Sequence, residues 1–348
     1  MAKKKFRTAS EIKVGTIGYG ASFRIARHHL RQMQQAGMTP VAVADIDPGR
    51  LPEAAADFPG IATYNSATEL LASCDVDLLA ICTPHNSHAP LAIECMNAGR
   101  HVVTEKPFAV NTEECDAMIA ARDRNRVMLS TYHNRHWDSW IINAREKISS
   151  GMIGDVIRAQ IDLCGYRCPK DTWRSSKTIS GGIMYDWGAH CLEYALQILS
   201  GRVTEVSGFA HRGFWAPRTC WGDDCIEDDT LAVVRFDSGQ WLTMLNSNVD
   251  SEPRPPYMVV TGTRGVFHVL YKTWKATCQE TDPISGETCT VLRSGPLPPD
   301  QTHKFYENIA AHLTKGEPLV ITPEYARIPI RIMDLAGQSA RLGKALPF

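Results

Sequence analysis

The chain reads as an α/β protein: a doubly wound parallel sheet first, then an α+β region built on a large, mostly antiparallel, open-faced sheet. Three observations predict it. Up to residue 131, short and almost continuously apolar runs alternate with helical patterns, as expected of strands covered on both faces. Those runs end in glycine, an acid or Thr-Pro. Beyond residue 132, strand-like runs follow one another with turn signals, not long helices, between them.

The first run, Val14–Ile17, ends in Gly18-Tyr19-Gly20, and a helix over Ile25–Gln35 stops at Gly37. Pro40–Asp45 is a buried strand closing on an acid, followed by a helix over Leu51–Phe58. Ser66-Ala67-Thr68-Glu69 has the form of a capping box. Val76–Cys82 is a strand closed by Thr83-Pro84, and the next helix spans Ala89–Asn97. His101–Thr104 is a strand followed by Glu105-Lys106-Pro107; Glu113–Arg124 is helical and Val127–Ser130 extended. Helices are then expected over Trp137–Ile148, Ile183–Leu199, Phe305–Leu313 and Tyr325–Leu342. Strands are expected over Val156–Leu163, Glu205–Ala210, Thr230–Phe236, Trp241–Asn248, Met258–Thr261 and Val266–Leu270. The division expected is 1–131 for the doubly wound domain and 132–348 for the α+β domain, with helices in 301–343 packing back on the first.

Composition narrows the function classes. Lys plus Arg is 37 against 38 for Asp plus Glu, a net charge of −1, which argues against a nucleic-acid or anionic-membrane binder. The 11 cysteines are too sparse for a disulfide scaffold, and no apolar h-region or membrane span is legible. A cytoplasmic protein with free thiols is expected. Cys164-x₃-Cys168 and Cys220-x₄-Cys225 lack the tight paired spacing of zinc sites, so no metal is expected.

Gly18-x-Gly20 lies between a strand and a helix. Its first glycine permits the tight turn and its second lets backbone approach a pyrophosphate at the helix N-terminus. Ser22 and Phe23 complete the turn, and Phe23 stands where a small residue is expected. Asp45, ending the next strand, suits the ribose hydroxyls and repels a 2′-phosphate, which favours NAD over NADP. Thr83 and Pro84 line the same pocket or are plain turn chemistry.

Two further stretches are specific. Thr83–Ala92 leads into Gly99-Arg100-His101-Val102-Val103-Thr104-Glu105-Lys106-Pro107, and Ser180-Gly181-Gly182-Ile183-Met184-Tyr185-Asp186-Trp187-Gly188-Ala189-His190 lies far downstream. Together they resemble the glucose–fructose oxidoreductase, inositol dehydrogenase and rhizopine-catabolism (Gfo/Idh/MocA) family over nearly the whole chain. The resemblance implies a Rossmann domain, Glu105 and Lys106 at the cofactor, and Lys106, Asp186 and His190 on the reacting hydroxyl. His88 matches a family histidine, or packs and caps its helix. The residues support this carry-over. Asp186 and His190 are four apart on one helix face, and histidine titrates near neutrality. Lys106 ends a parallel strand, where open α/β sheets bind ligands and where a cation can stabilise an alkoxide.

Weaker substrate candidates are Asn134 and Arg135, which reach substrate or lock the domains; Trp173 and Arg174, which stack on sugar or pack locally; and Tyr132 and Tyr185. The Arg212–Asp229 loop shapes the substrate pocket or makes an oligomer contact. The activity implied is hydride transfer between a nicotinamide and a secondary hydroxyl of a sugar, cyclitol or related polyol. The alternatives are glycoside cleavage with tightly bound NAD and a non-catalytic binding protein. The expected partners are that small substrate and a second copy of the chain, as dimer or tetramer, burying the open sheet face.

Overall fold

A computed structural model describes residues 6–20, 24–252 and 258–348. Strands β1 (Lys13–Ile17), β2 (Thr39–Ala44), β3 (Ala62–Tyr64), β4 (Leu78–Ile81), β5 (His101–Thr104) and β6 (Leu129–Thr131) form one parallel sheet, ordered β3-β2-β1-β4-β5-β6. Helices α1 (Ile25–Gln35), α2 (Leu51–Asp57), α3 (Ala67–Ser73), α4 (His88–Asn97) and α5 (Thr112–Asn125) connect them. All four residues of β4 are buried, which is why its sequence is an unbroken apolar run. The strand order reverses between β1 and β4, the switch point where doubly wound sheets take their ligands.

Local chemistry sets the helix starts. Ser66 accepts the Glu69 N–H at 3.0 Å, as the capping box requires. Glu69 reaches back to the Asn65 N–H instead of to Ser66 itself. Asn111 does the same service for α5, accepting the Glu114 N–H at 2.7 Å. The edge strand β3 has no counterpart among the sequence-expected runs, because three residues are too few to show a period.

The second sheet has nine strands. Helices α6 (Ser139–Ser149), α7 (Lys177–Ser180) and α8 (Ile183–Leu196) accompany β7 (Val156–Cys164), β8 (Val203–His211), β9 (Asp229–Phe236), β10 (Trp241–Ser247), β11 (Met258–Gly262), β12 (Gly265–Val269), β13 (Thr273–Thr281) and β14 (Thr288–Pro296). After α9 (Lys304–Lys315) and α10 (Pro323–Leu342) comes the two-residue β15 (Leu346–Pro347). The order is β14-β13-β12-β11-β7-β10-β9-β8-β15, and only the β7/β10 pair is parallel. The β13–β14 hairpin is absent from the sequence expectation. Its signal is alternation, with Trp274, Ala276 and Cys278 buried between polar neighbours, and not an apolar run.

The chain divides into two compact units, Met1–Asn134 with His303–Ile328 and Arg135–Thr302 with Pro329–Phe348. The division thus falls at 134/135 where 131/132 was expected. The closing helices do not stay together: α9 belongs to the first unit, and α10 runs across the division, with Pro329 inside it. Among the described residues no helix is long and apolar enough to cross a membrane.

In the second unit, Gly208 of β8 lies against α10 and donates its N–H to Ser339 Oγ at 2.9 Å. A Cβ there would overlap the Ala336 carbonyl oxygen. Gly208→Ala should therefore destabilise the protein by about 1–3 kcal/mol, the usual cost of overpacking. A thermal melt followed by circular dichroism measures this; an unchanged midpoint would contradict the close approach.

Candidate active site

In the first unit the candidate residues converge because parallel strands end on one edge. Gly18 follows β1 at φ 91°, a conformation that glycine accepts without strain. A Cβ on it would lie 2.8 Å from the Cys82 carbonyl oxygen, so the glycine also lets the β1 and β4 ends approach. Asp45, at the end of β2, accepts the Tyr19 N–H at 2.5 Å through one carboxylate oxygen and the Asp47 N–H at 2.8 Å through the other. The acid is thereby fixed against the glycine turn. The Tyr19 ring is buried, and its hydroxyl donates to Asp57 at 2.8 Å. Asp57 also pairs with Arg27. Burial, then the Asp57 hydrogen bond, pushes the Tyr19 phenol well above its ordinary range. Ser22 and Phe23, expected in this turn, lie outside the described residues.

The ends of β4 and β5 are tied together by His88. Its ring nitrogens face the Pro107 carbonyl at 2.8 Å and the Thr83 carbonyl at 3.0 Å, and the side chain is fully buried. Burial lowers its pKa, against the pull of both carbonyls. His88 thus braces the two turns that carry Thr83, Pro84 and Lys106. Ser87 adds a 2.6 Å hydrogen bond to Thr83 Oγ1.

Glu105, next to Lys106, is the buried charge of this region; its side chain is 13% exposed. One oxygen accepts from His29 Nε2 at 2.8 Å and the other from the Lys106 N–H at 3.1 Å. With Nε2 carrying the proton, His29 Nδ1 accepts from the Tyr306 hydroxyl at 2.5 Å. Burial resists ionisation of Glu105, but the His29 hydrogen bond and the nearby charges outweigh it, and its pKa lies below the usual carboxylate range. Tyr132, expected at the substrate, is instead a core residue. Its hydroxyl bonds Gln32 and its ring packs against His29, Phe305 and Tyr306.

In the second unit, α8 carries Asp186 and His190 four residues apart on one face. Gly181 and Gly182, at φ 90° and 127°, turn the chain into it. Most of the helix is buried, and Gly188 lets it press on Met244 of β10. The face opens at Asp186 and at Trp187, which is 37% exposed; His190 beside them is 5% exposed. The His190 and Trp187 rings meet edge to face at 5.9 Å, and the Arg135 guanidinium lies 4.9 Å over Trp187. Arg135 pairs with Asp138 at 3.0 Å, and Asp138 also accepts from Tyr194 and Trp140, each at 2.8 Å. His136 meets Glu193 at 2.6 Å, so α8 is tied along its C-terminal half.

Tyr185 packs against Gly181, where a Cβ would come within 2.8 Å of its ring. Trp173 and Arg174 stack on each other at 4.4 Å in the stretch before α7. Asn134 opens a short 3-10 turn ending at Trp137. The contacts by which Asp138, Glu193 and Glu227 pin α8 to other elements carry no local sequence signal, since Asp138–Tyr194, Glu193–His136 and Glu227–Ile183 each span more than forty residues. Among the described residues, no three His, Cys, Asp or Glu side chains gather as a metal site, and the 11 cysteines are free.

Two family models match the chain. The oxidoreductase family with an NAD-binding Rossmann fold matches residues 12–133, and the GFO/IDH/MocA C-terminal domain matches residues 141–268. The scyllo-inositol 2-dehydrogenase (NADP(+)) of Bacillus subtilis is 30% identical over 55% of this chain and 53% of its own length. The myo-inositol 2-dehydrogenase of Thermotoga maritima is 29% identical over 66% of each chain. The chain spans about half the length of the curated relatives it matches first. The WlbA dehydrogenase of Bordetella pertussis, solved with NADH and UDP-GlcNAcA, superposes with a TM-score of 0.77 at 22% identity, covering 97% of this chain and 98% of its own. The chain belongs to the Gfo/Idh/MocA family of oxidoreductases and has its NAD(P)-binding Rossmann fold.

Because the folded pKa of Glu105 is depressed, its ionisation stabilises the protein above the unfolded value of about 4.3. That contribution is lost as pH falls through the folded value. Glu105→Gln should cost about 1.5–3 kcal/mol at pH 7, the worth of a hydrogen bond to a charged group. The gap between wild type and variant should narrow in melts run from pH 6 down to 3; a gap independent of pH would refute the assignment.

Proposed function

We propose that the chain is an NAD-dependent dehydrogenase acting on a secondary hydroxyl of a sugar, cyclitol or related polyol. The observation that carries this reading is α8, buried around most of its circumference yet open where it presents Asp186 beside Trp187 and His190. A carboxylate, an imidazole and an indole face are what orienting, deprotonating and stacking on a polyol require.

The residues present fit a dinucleotide. The glycine turn has no room for side chains at Gly18, and Asp45 is held as a fixed acceptor at the strand end. Gly18, Gly20, Asp45, Thr83, Pro84 and Lys106 would hold it. When bound, its nicotinamide supplies the hydride acceptor. On the protein side, Asp186 orients the hydroxyl; its proton passes to one of His190 and Lys106 in its neutral form, while the other donates a hydrogen bond to the oxygen as negative charge develops. Glu105 and His88 support Lys106 without touching substrate. The inositol dehydrogenases among the relatives and the sugar nucleotide named with the Bordetella protein support the substrate class. The Asp45 carboxylate favours NAD, although the Bacillus relative is named for NADP(+). Free thiols support a reducing, cytoplasmic setting.

The second sheet supports a further part of the proposal, self-association. Outward positions alternate with buried ones along β9 and β10, and Phe209, Trp241 and Leu292 are exposed. Covering that face with a second copy would bury them. Native mass spectrometry should show a dimer or tetramer, and a monomer alone counts against it.

The activity test is a panel of sugars and inositols offered with NAD⁺ and with NADP⁺, followed by nicotinamide absorbance. Turnover with NAD⁺ is expected. Lys106→Ala and His190→Ala should each lose about 10²–10⁴-fold in kcat, as expected for a proton-transfer group. NADH binding, read by fluorescence titration, should be largely kept in His190→Ala, which lies outside the set that would hold the dinucleotide. Near-normal turnover in both variants would reject the roles.

A further inference from the structure

We propose that Glu227 is a positioning residue for the helix that carries Asp186 and His190, acting from a loop more than forty residues downstream of the helix start. This rests on the dehydrogenase reading above.

The helix lacks a side-chain cap of its own. Its N-cap is Gly182, which has no side chain to accept the first-turn amides. Glu227 supplies the missing acceptor: its Oε2 takes the Ile183 N–H at 3.1 Å. Its Oε1 takes Lys177 Nζ, from α7, at 2.5 Å. The carboxylate reaches that point only because residue 182 is glycine. A Cβ there would sit 2.6 Å from both Glu227 Oε2 and Lys177 Nζ. The Gly-Gly turn therefore has a second reason beyond backbone conformation: it is the slot through which a distant carboxylate caps the helix.

The brace is itself held. Asp224 accepts from the Ser176 hydroxyl, from the Thr178 N–H at 2.9 Å and from the Thr178 hydroxyl at 2.6 Å. The Ile226 N–H donates to the Ser175 carbonyl at 2.9 Å. Asp228 accepts the Phe214 and Trp215 N–H groups at 2.7 and 3.0 Å. Glu227 is thus fixed on both sides and itself buried. Burial opposes its charge, but Lys177 and the Ile183 amide keep its pKa below the ordinary range. Asp186 is three residues beyond Ile183, so the helix start and the orienting carboxylate share one turn. Freeing that turn displaces Asp186 before anything else.

The test compares Glu227→Ala with Glu227→Gln, which keeps an oxygen for the Ile183 amide. Four quantities are read: kcat and KM on the substrate found in the panel, NADH affinity, the melting midpoint, and hydrogen–deuterium exchange of amides 183–186. The alanine variant should stay folded and bind NADH within about twofold of wild type. Its kcat should fall about 10²-fold, the scale of a displacement near 1 Å in a positioned group. Exchange at 183–186 should rise about tenfold. Glutamine should recover most of both losses. Wild-type kcat with unchanged exchange in the alanine variant overturns the proposal. So does a loss of kcat that tracks lost NADH binding or melting, or that glutamine leaves unrepaired. If nothing in the panel turns over, the dehydrogenase reading fails, and exchange at 183–186 alone then decides whether Glu227 holds the helix.

Discussion

A buried carboxylate needs partners, and in the first unit the partners of one carboxylate join three elements into a chain of hydrogen bonds. Glu105 ends β5, His29 comes from the helix behind the glycine turn, and Tyr306 comes from the returning α9. The same group accepts the backbone N–H of Lys106. The strand that carries the lysine, the helix that would face a pyrophosphate and the last helix of the unit therefore share one hydrogen-bonded chain. Without His29 the charge would be stranded in a poor dielectric. With it, the residues at the sheet edge inherit a common frame of reference.

The second unit solves a related problem differently. α8 is buried nearly all round, so it could slide or tilt only by breaking polar contacts. Those contacts are placed at its two ends: Glu227 at the start, and Glu193 with His136 and Tyr194 with Asp138 towards the finish. The stretch from the first turn to the middle is left for Asp186, Trp187 and His190. Polar groups that look dispensable for chemistry are the reason the chemical ones stay put.

Much of this was legible in the sequence because it is local. Strands buried on both faces read as apolar runs, and the capping box at Ser66, the acid at Asp45 and the spacing of Asp186 and His190 all lie within one or two turns of chain. What was not legible is long-range or weakly periodic. The β13–β14 hairpin hides in polar alternation, and β3 is too short to carry a period. Tyr132 suggested a hydroxyl for substrate, yet its aromatic partners at 305 and 306 could not be foreseen from position 132. Glu227 was visible only as part of an acid-rich loop, since nothing near it announces a helix start at Ile183. By sequence the Arg212–Asp229 loop reads as pocket wall or oligomer contact; within its own unit its Glu227 meets the Gly-Gly turn.

The split make-up of the first unit has a consequence for how the chain comes into being. Residues 303–328 complete a unit whose other part ends at Asn134, with all of 135–302 between. On a ribosome, β1 to β6 emerge long before Phe305 and Tyr306 exist. Until then His29 and Tyr132 lack the rings and the hydroxyl that seal them. Domains generally fold in order of synthesis. Here the nucleotide-binding half begins first but can finish only after the intervening residues 135–302, and then 303–328, have been made.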